Sequence, residues 1–200
     1  MLSLADEVVV IGSADQTAWF VEGSVGTLSS FGIRLDVTLG RGEPASFASL
    51  PLSLTIGAWL LSRQEFAGGV SAVSIATDYP LSTCIEMGEQ IARETSPKTA
   101  LLVMGDGTAR RSEKAPGYID SRADDFDQTI ATALREGSPS QLLELSDELA
   151  TELMAAGRSA WQVAAAAMGT DSTWSSALID RDDPYGVMYF VAQWMREITT

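Results

Sequence analysis

Histidine is absent from the 200 residues, and cysteine occurs once, as Cys84. The absence of histidine excludes Ser-His-Asp and Cys-His catalytic sets, zinc-protease helices and iron sites built from two histidines and a carboxylate. A single cysteine cannot form an internal disulfide, so the composition predicts a reducing, cytoplasmic environment. Cys84 could be an activated thiol near a helix start or a buried structural residue, and no histidine is present to act as its base.

Basic residues and long apolar runs are also scarce. The chain has 13 Lys and Arg against 27 Asp and Glu, a net charge of -14. Such a charge repels phosphate backbones and anionic lipid, so we expect neither nucleic acid nor membrane as a partner. No apolar run is long enough to cross a bilayer. The small-residue run at 164–167 instead favours a helix face that a neighbour approaches closely.

The hydrophobic content and the length of the chain are typical of a globular domain. Hydrophobic residues make up 46% of a chain of 21.3 kDa. A chain of this length buries about 70% of its unfolded surface and folds without a disulfide or a structural metal. No linker or repeat interrupts it, so the sequence predicts one domain over residues 1–200.

The apolar patterns predict an α/β fold. Strands are expected at 8–11, 33–39, 70–76 and 99–104, with helices after Pro51 and from a capping box at Thr83. Strands and helices that alternate at this spacing favour βαβ crossovers and a mainly parallel central sheet. From Asp120 onward the pattern predicts a mostly helical C-terminal part, with helix starts at Ser138, Ser146 and Ser159, and then an apolar element through 187–194.

Three acids follow predicted strands: Asp15, Asp78 and Asp106. Because open α/β sheets bind ligands at the carboxyl ends of their strands, these carboxylates could converge on one crevice. There they could hold Mg²⁺ or Mn²⁺ or divide general acid and base roles. Alternatively, each Asp forms a turn through hydrogen bonds to nearby backbone amides.

The segment that starts at Gly105 is the most distinctive. Gly105 and Gly107 flank Asp106 after a buried strand and would let the backbone approach a ligand closely. The only dense basic patch follows, made of Arg110, Arg111 and Lys114. This patch could bind a small carboxylate or phosphate, or it could pair with local acids, namely Glu113, Asp120, Asp124 and Asp125.

Several runs together carry a family resemblance. They are residues 101–111, Lys114-Ala-Pro-Gly-Tyr118, Asp125-Phe-Asp127, Ala155-Ala-Gly-Arg158, Trp161-Gln-Val163 and Pro184-Tyr-Gly186. With these runs the chain resembles the class III extradiol dioxygenase LigB-like superfamily, and within it an uncharacterised actinobacterial branch. The resemblance implies a three-layer αβα architecture around the parallel sheet.

The resemblance also implies which functional parts are missing. Active members open catechol-type rings with O₂ at an Fe(II) held by two histidines and a glutamate. Their first histidine lies in a His-Pro segment after an N-terminal strand, and this chain starts just before what looks like the second strand. They also carry Gly-Asp-x-Ser-His, whose histidine is the acid–base catalyst; the matching run here ends in Ala109.

These observations predict a LigB-like protein that lacks ring-cleaving activity and Fe(II) but keeps a ligand-binding or scaffold surface. The candidate pocket residues are Asp15, Asp78, Asp106, Thr108, Arg110, Arg111 and Tyr185. The alternative is a metal-assisted or acid–base enzyme that acts on a small anionic or aromatic substrate through the strand-end carboxylates. A missing N-terminal strand would leave a sheet edge open, so a homodimer is also expected.

Overall fold

The computed structural model describes residues 4–45 and 49–197 and divides the chain into two units, each discontinuous in sequence. Unit 1 comprises Met1–Thr77 and Glu94–Met104, and unit 2 comprises Asp78–Arg93 and Gly105–Thr200. The single domain over 1–200 stays a prediction.

In chain order the elements are β1 (Glu7–Ala14), β2 (Ala18–Phe20), β3 (Val25–Thr27), β4 (Asp36–Thr38), α1 (Leu52–Ser62), β5 (Gly69–Ala76), α2 (Leu81–Glu94), β6 (Thr99–Met104), α3 (Ala123–Glu136), α4 (Pro139–Leu143), α5 (Asp147–Glu152), α6 (Arg158–Met168), β7 (Trp174–Asp182) and β8 (Tyr189–Arg196).

The central sheet of unit 1 has four strands in the order β2-β5-β1-β6. β1 runs parallel to β5 and to β6, whereas the short β2 is antiparallel to β5. The α/β class and the mostly parallel sheet are therefore confirmed. Three predicted strands correspond to β1, β5 and β6, whose β-branched and apolar residues suit strands with buried faces.

Helix α1 packs directly on this sheet because two glycines allow close approach. A Cβ atom at Gly57 would lie 2.6 Å from Val10 Cγ1, and one at Gly12 would lie 2.5 Å from Ser53 Oγ. Val10 and Leu54 are fully buried in the apolar cluster that results. Burying each side chain of this size contributes about 1.5–3 kcal/mol, so this contact supplies much of the core of unit 1.

Two local predictions for the first hundred residues differ from the structure. The capping box at Thr83 is wrong, because α2 begins at Leu81 and the backbone N–H of Thr83 donates to Pro80 O at 3.0 Å. The helix thus starts directly after Pro80, and Thr83 lies inside its first turn. The strand predicted at 33–39 is shortened to β4, which pairs antiparallel with β3 in a separate two-stranded sheet.

Unit 2 is built around α6, the most buried helix in it. Its Gln162 is fully buried and donates to Leu145 O at 2.9 Å, which connects α6 to the end of the α4 segment. On another side, a Cβ at Gly88 of α2 would lie 2.5 Å from the Cβ of Ala166. The run of small residues in α6 therefore has the close helix neighbour that the sequence predicts.

The C-terminal part is helical only as far as α6. From Trp174 to Arg196 the chain forms an antiparallel hairpin of β7 and β8, so the mostly helical prediction fails there. Alternating burial along β8 is the physical reason, because every second side chain faces the helices and the rest face outward. In the described ranges no helix is both long and apolar enough to cross a bilayer; the longest, α2 and α3, have 14 residues each.

Candidate functional site

The loop that follows β6 is fixed by backbone hydrogen bonds on two sides. Gly107 N donates to Met188 O at 2.7 Å, and Met188 N donates to Thr108 O at 2.9 Å. On the other side, Gly157 N donates to Asp106 O at 2.9 Å. Since Met188 directly precedes β8 and Gly157 directly precedes α6, the loop is held between the start of the strand and the start of the helix.

The glycines of this loop are required by the packing of unit 2. A Cβ at Gly105 would lie 2.7 Å from Gly157 Cα and 3.0 Å from Trp161 Nε1. A Cβ at Gly107 would lie 2.7 Å from Asp127 Oδ1. These distances are too short for a side chain, so protein atoms occupy the space that the sequence analysis assigned to an approaching ligand.

Asp106 carries an exposed carboxylate that no described protein group binds. Its side chain is exposed, and the described residues provide no hydrogen-bond or ion-pair partner for it. Surrounding protein atoms nevertheless displace part of its hydration, and this desolvation raises the pKa of the Asp106 carboxyl. Because it is exposed and not engaged by other protein groups, Asp106 is the acid of this loop that a ligand could reach.

Two tyrosines lie within electrostatic range of one another and of Asp106. The pKa of Tyr189 is raised, first by desolvation of its phenol and then by the nearby side chains of Asp106 and Tyr185. Tyr189 follows Met188 in the chain, and Asp106 precedes Gly107, so both flank the same backbone hydrogen bond. Tyr185 is 78% exposed and Tyr189 is 40% exposed.

Thr108, by contrast, is fully buried and has an internal role. Its backbone N–H donates to Asp127 Oδ1 at 2.9 Å, and its hydroxyl donates to Asp127 Oδ2 at 2.6 Å. Desolvation raises the pKa of Asp127, against the lowering effect of the two Thr108 hydrogen bonds and of the Arg111 charge. Thr108 therefore anchors the loop to α3 and is closed to a ligand.

The guanidinium of Arg111 interacts with three carboxylates of the same chain. Its Nε donates to Asp183 Oδ2 at 2.7 Å, its Nη1 donates to Asp124 Oδ1 at 2.7 Å, and Nη1 lies 3.6 Å from Asp127 Oδ2. Of the local acids expected to pair with the basic patch, Asp124 is confirmed as a partner of Arg111. Asp120 instead pairs with Arg122, at 2.7 Å. An anionic ligand at Arg111 would have to displace carboxylates that are already bound.

Arg110 and Tyr185 differ in accessibility. Arg110 Nη1 donates to Gly117 O at 2.6 Å, and its Nε is buried without a hydrogen-bond partner among the described residues. Tyr185 lies in a turn closed by the hydrogen bond from Gly186 N to Asp183 O, with Gly186 at a φ of 74°. The turn exposes the Tyr185 ring, whereas Arg110 contributes to loop structure.

Asp15 and Asp78 are both exposed, the first in unit 1 and the second in unit 2. Across residues 4–45 and 49–197 there is no group of three or more acidic or cysteine side chains that could hold a metal ion. The convergence of Asp15, Asp78 and Asp106 stays a prediction, as does Mg²⁺ or Mn²⁺ binding. A shallow groove of about 400 Å³ in unit 1 lies at the amino ends of β1 and β5, beside Glu7 and Val70, and includes none of the predicted residues.

A second polar cluster surrounds the buried Arg158. Its Nη1 donates to Gln162 Oε1 at 3.1 Å and to Tyr79 O, and it lies 3.2 Å from Asp147 Oδ1. Cys84 Sγ is 3.9 Å from the same nitrogen. Desolvation raises the pKa of Cys84 to about 11, Arg158 opposes the shift and Asp147 adds to it. The thiol is therefore held protonated, and of the two readings the buried structural cysteine fits the structure.

Sequence reasoning missed three residues of this region: Asp127, Asp183 and Tyr189. Asp127 had a usable signal, because it lies on the buried face of α3, three positions before Ile130. An acid on an apolar helix face usually has a polar partner in the fold. Asp183 had no such signal, because 72 positions separate it from Arg111 in the sequence.

The iron centre implied by the resemblance does not fit the residues present. Histidine is absent from the sequence, and the resemblance would place Ala109 at the position of the catalytic histidine. Ala109 is only 8% exposed, and its N–H donates to Leu153 O at 3.1 Å. Its carbonyl accepts from Gly117 N at 2.9 Å. The backbone at this position is therefore fixed on both sides, and the Ala109 methyl group is nearly buried.

Comparison with known proteins assigns no family to the chain. No model of a known protein family matches the chain. No curated protein matches it in sequence either. Among solved structures, the crystal structure of the uncharacterized protein JW3007 from Escherichia coli K12 is similar, with a TM-score of 0.49 and 11% identity over 96% of this chain and 86% of that chain. A likeness at this level carries no argument about activity.

Proposed function

We propose that the chain is a LigB-like protein that binds a small molecule without opening a ring. The observation that carries this proposal is Asp106, an exposed, desolvated carboxylate without a partner in the described part of the chain. A binding role is favoured over a purely scaffolding one because a ligand could reach Asp106 and offer it a charge-assisted hydrogen bond.

The absence of ring cleavage rests on the chemistry of the residues. Ring opening in active members depends on an imidazole that moves a proton, and the methyl group of Ala109 cannot do this. Imidazole ligands suit Fe(II), whereas carboxylates alone favour Mg²⁺, Ca²⁺ or Mn²⁺. We therefore expect the protein to bind ring compounds without oxidising them.

Iron content and oxygen uptake test the proposal together. The full chain would be loaded with Fe(II), freed of excess metal, and assayed with catechol in an oxygen electrode. We expect less than stoichiometric iron and no catechol-dependent O₂ uptake above a protein-free control. Catechol binding is measured separately by NMR chemical-shift changes. Stoichiometric iron coupled to O₂ uptake would contradict the inactive assignment, and no shift with any small molecule would contradict the binding role.

A second candidate function follows from the raised pKa of Asp106. A carboxyl whose pKa is raised exchanges protons closer to neutral pH, which suits an acid–base or metal-assisted enzyme acting on a small aromatic substrate. An anionic substrate for this enzyme is less favoured, because carboxylates of the chain already bind the Arg111 guanidinium. Titration with Mn²⁺, followed by paramagnetic broadening of the NMR signals, tests the metal-assisted enzyme. Broadening centred on Asp106 would support this function. The absence of broadening near Asp106 would contradict the metal-assisted form of the enzyme.

The remaining expectations concern assembly and environment. We propose the three-layer αβα arrangement that the resemblance implies, a homodimer, and a cytoplasmic location in keeping with the single buried thiol of Cys84. The packing of α1 on β1 supplies one helical layer. An experimental structure of the whole chain would test whether helices also cover the second face of the sheet.

A further inference from the structure

The outer edge of β8 is open along its whole length. On one side β8 pairs with β7, and on the other no strand of the described residues pairs with it. Met188, directly before β8, has both its N–H and its carbonyl bonded to the loop at 107–108. Beyond Met188 the edge can therefore accept another strand.

Hydrogen bonds at the two ends of β8 identify the backbone groups that face outward. The N–H and C=O groups of successive strand residues point to alternate sides. Met188 is bonded to the loop, away from β7, whereas Glu197 N donates to Thr173 O, on the β7 side, at 3.0 Å. Even-numbered residues of β8 therefore face outward, and within 4–45 and 49–197 their backbone groups have no hydrogen-bond partner. These residues are Phe190, Ala192, Trp194 and Arg196.

The exposed face of β8 is mainly apolar and carries no acid. Val191 is 52% exposed and Met195 is 43% exposed, with Gln193 between them on the same face. The chain has 27 Asp and Glu, and none of them lies in β8, where Arg196 is the single charged residue. A second copy carries the same net charge of -14, so it can approach most closely where acids are absent.

We propose that β8 pairs antiparallel with β8 of a second copy, with the two-fold axis at Gln193. In this register Phe190 lies opposite the partner's Arg196, and Ala192 lies opposite the partner's Trp194, so every outward N–H meets a free carbonyl. A register centred on Ala192 would instead place Arg196 opposite the partner's Met188, whose backbone groups are already bonded. The inference rests on the homodimer proposed above and assigns its interface.

The exposed side chains fit the same register. Val191 lies opposite the partner's Met195, and Gln193 lies opposite the partner's Gln193. Apolar side chains thus meet apolar ones, an amide meets an amide, and no like charges face each other across the axis.

Charges introduced at position 193 test the axis. Because residue 193 faces its own copy, Gln193→Lys and Gln193→Glu each place like charges directly opposite one another. We expect each variant to weaken dimerisation of the full chain at least about tenfold, measured by sedimentation velocity at micromolar concentration. An equimolar mixture of the two variants places Lys opposite Glu and should restore dimerisation to within about threefold of the unchanged chain.

Ala177→Lys is the matched control. Ala177 pairs with Gln193 on the exposed face of the same hairpin, one strand further from the axis. The two introduced lysines would lie three strand spacings apart, about 14 Å, which exceeds the screening length of about 8 Å in 150 mM salt. We expect dimerisation to change less than about threefold. A loss equal to that of Gln193→Lys would mean that only net charge matters and would overturn the interface.

A backbone variant gives a readout that does not depend on charge. Ala192→Pro removes an N–H that faces away from β7, so the hairpin keeps its own hydrogen bonds while the edge loses a donor. We expect dimerisation to weaken at least about tenfold with an unchanged circular dichroism spectrum. A folded Ala192→Pro variant that dimerises as tightly as the unchanged chain would contradict the pairing of β8.

Failure of this inference and failure of the homodimer are distinguishable. If both Gln193 variants dimerise as the unchanged chain does, the β8 interface is wrong and the homodimer stands; β6 also has an outer edge without a strand partner in the described part of the chain. If the single variants are monomeric and their mixture is too, the axis is not at Gln193. If the unchanged chain is itself a monomer, the homodimer and its interface both fail.

Discussion

At the residue scale, Ala109 is the position that the proposed resemblance matches to the catalytic histidine of active extradiol dioxygenases. Its side chain is 8% exposed, and both its N–H and its carbonyl are engaged by backbone partners. We predict that Ala109→His destabilises the protein by about 1–3 kcal/mol, because an imidazole overfills a packed position. We also predict that this variant shows no iron-dependent O₂ uptake with catechol. Urea unfolding and an oxygen electrode measure the two effects.

A surface substitution of the same kind serves as the control. Ala67→His adds the same side chain at an exposed position and should change the free energy of unfolding by less than about 0.5 kcal/mol. An Ala109→His variant that is as stable as Ala67→His and consumes O₂ with catechol would show that the position faces an active site.

At the scale of elements, α3 holds the loop of the candidate site through one buried carboxylate. Asp127 accepts both hydrogen bonds from Thr108, and all of these groups are fully buried. We predict that Thr108→Val lowers the free energy of unfolding by about 1–3 kcal/mol, because the valine leaves a buried carboxylate oxygen without its hydroxyl donor. Urea unfolding followed by far-ultraviolet circular dichroism measures the change.

Thr129 provides a matched control on the same helix. Its hydroxyl donates to Asp125 O at an exposed position, so Thr129→Val should change stability by less than about 0.5 kcal/mol. Similar losses in both variants would mean that the buried hydrogen bond from Thr108 to Asp127 contributes no more to stability than an exposed threonine hydroxyl does. A stable Thr108→Val variant that still binds ligand would remove the anchoring role of Asp127.

For the whole molecule, we expect the formation of a homodimer to depend on an open sheet edge and on the net charge. Within the described residues β6 pairs only with β1, so its outer edge of six residues is left without a strand partner. Open edges favour pairing with a second copy, whereas a net charge of -14 opposes it by repulsion. We predict a homodimer at micromolar concentration in 150 mM salt, where repulsion between exposed charges more than about 8 Å apart is largely screened. Light scattering gives the mass, and a clean monomer under these conditions would contradict the prediction.

The sequence by itself determined the α/β class, the three central strands and the chemical limits set by missing histidine. These follow from local apolar patterns and from composition, which need no knowledge of contacts. Tertiary structure alone decided that Arg111 is bound by Asp183, that Thr108 is closed off by Asp127, and that the chain after α6 forms a hairpin. The two side-chain contacts join residues that are far apart in the chain, and the free energy of a carboxylate depends on which partners the fold brings to it. The hairpin is local in sequence, but its alternate side chains become half-buried only where the rest of unit 2 covers one face of β8.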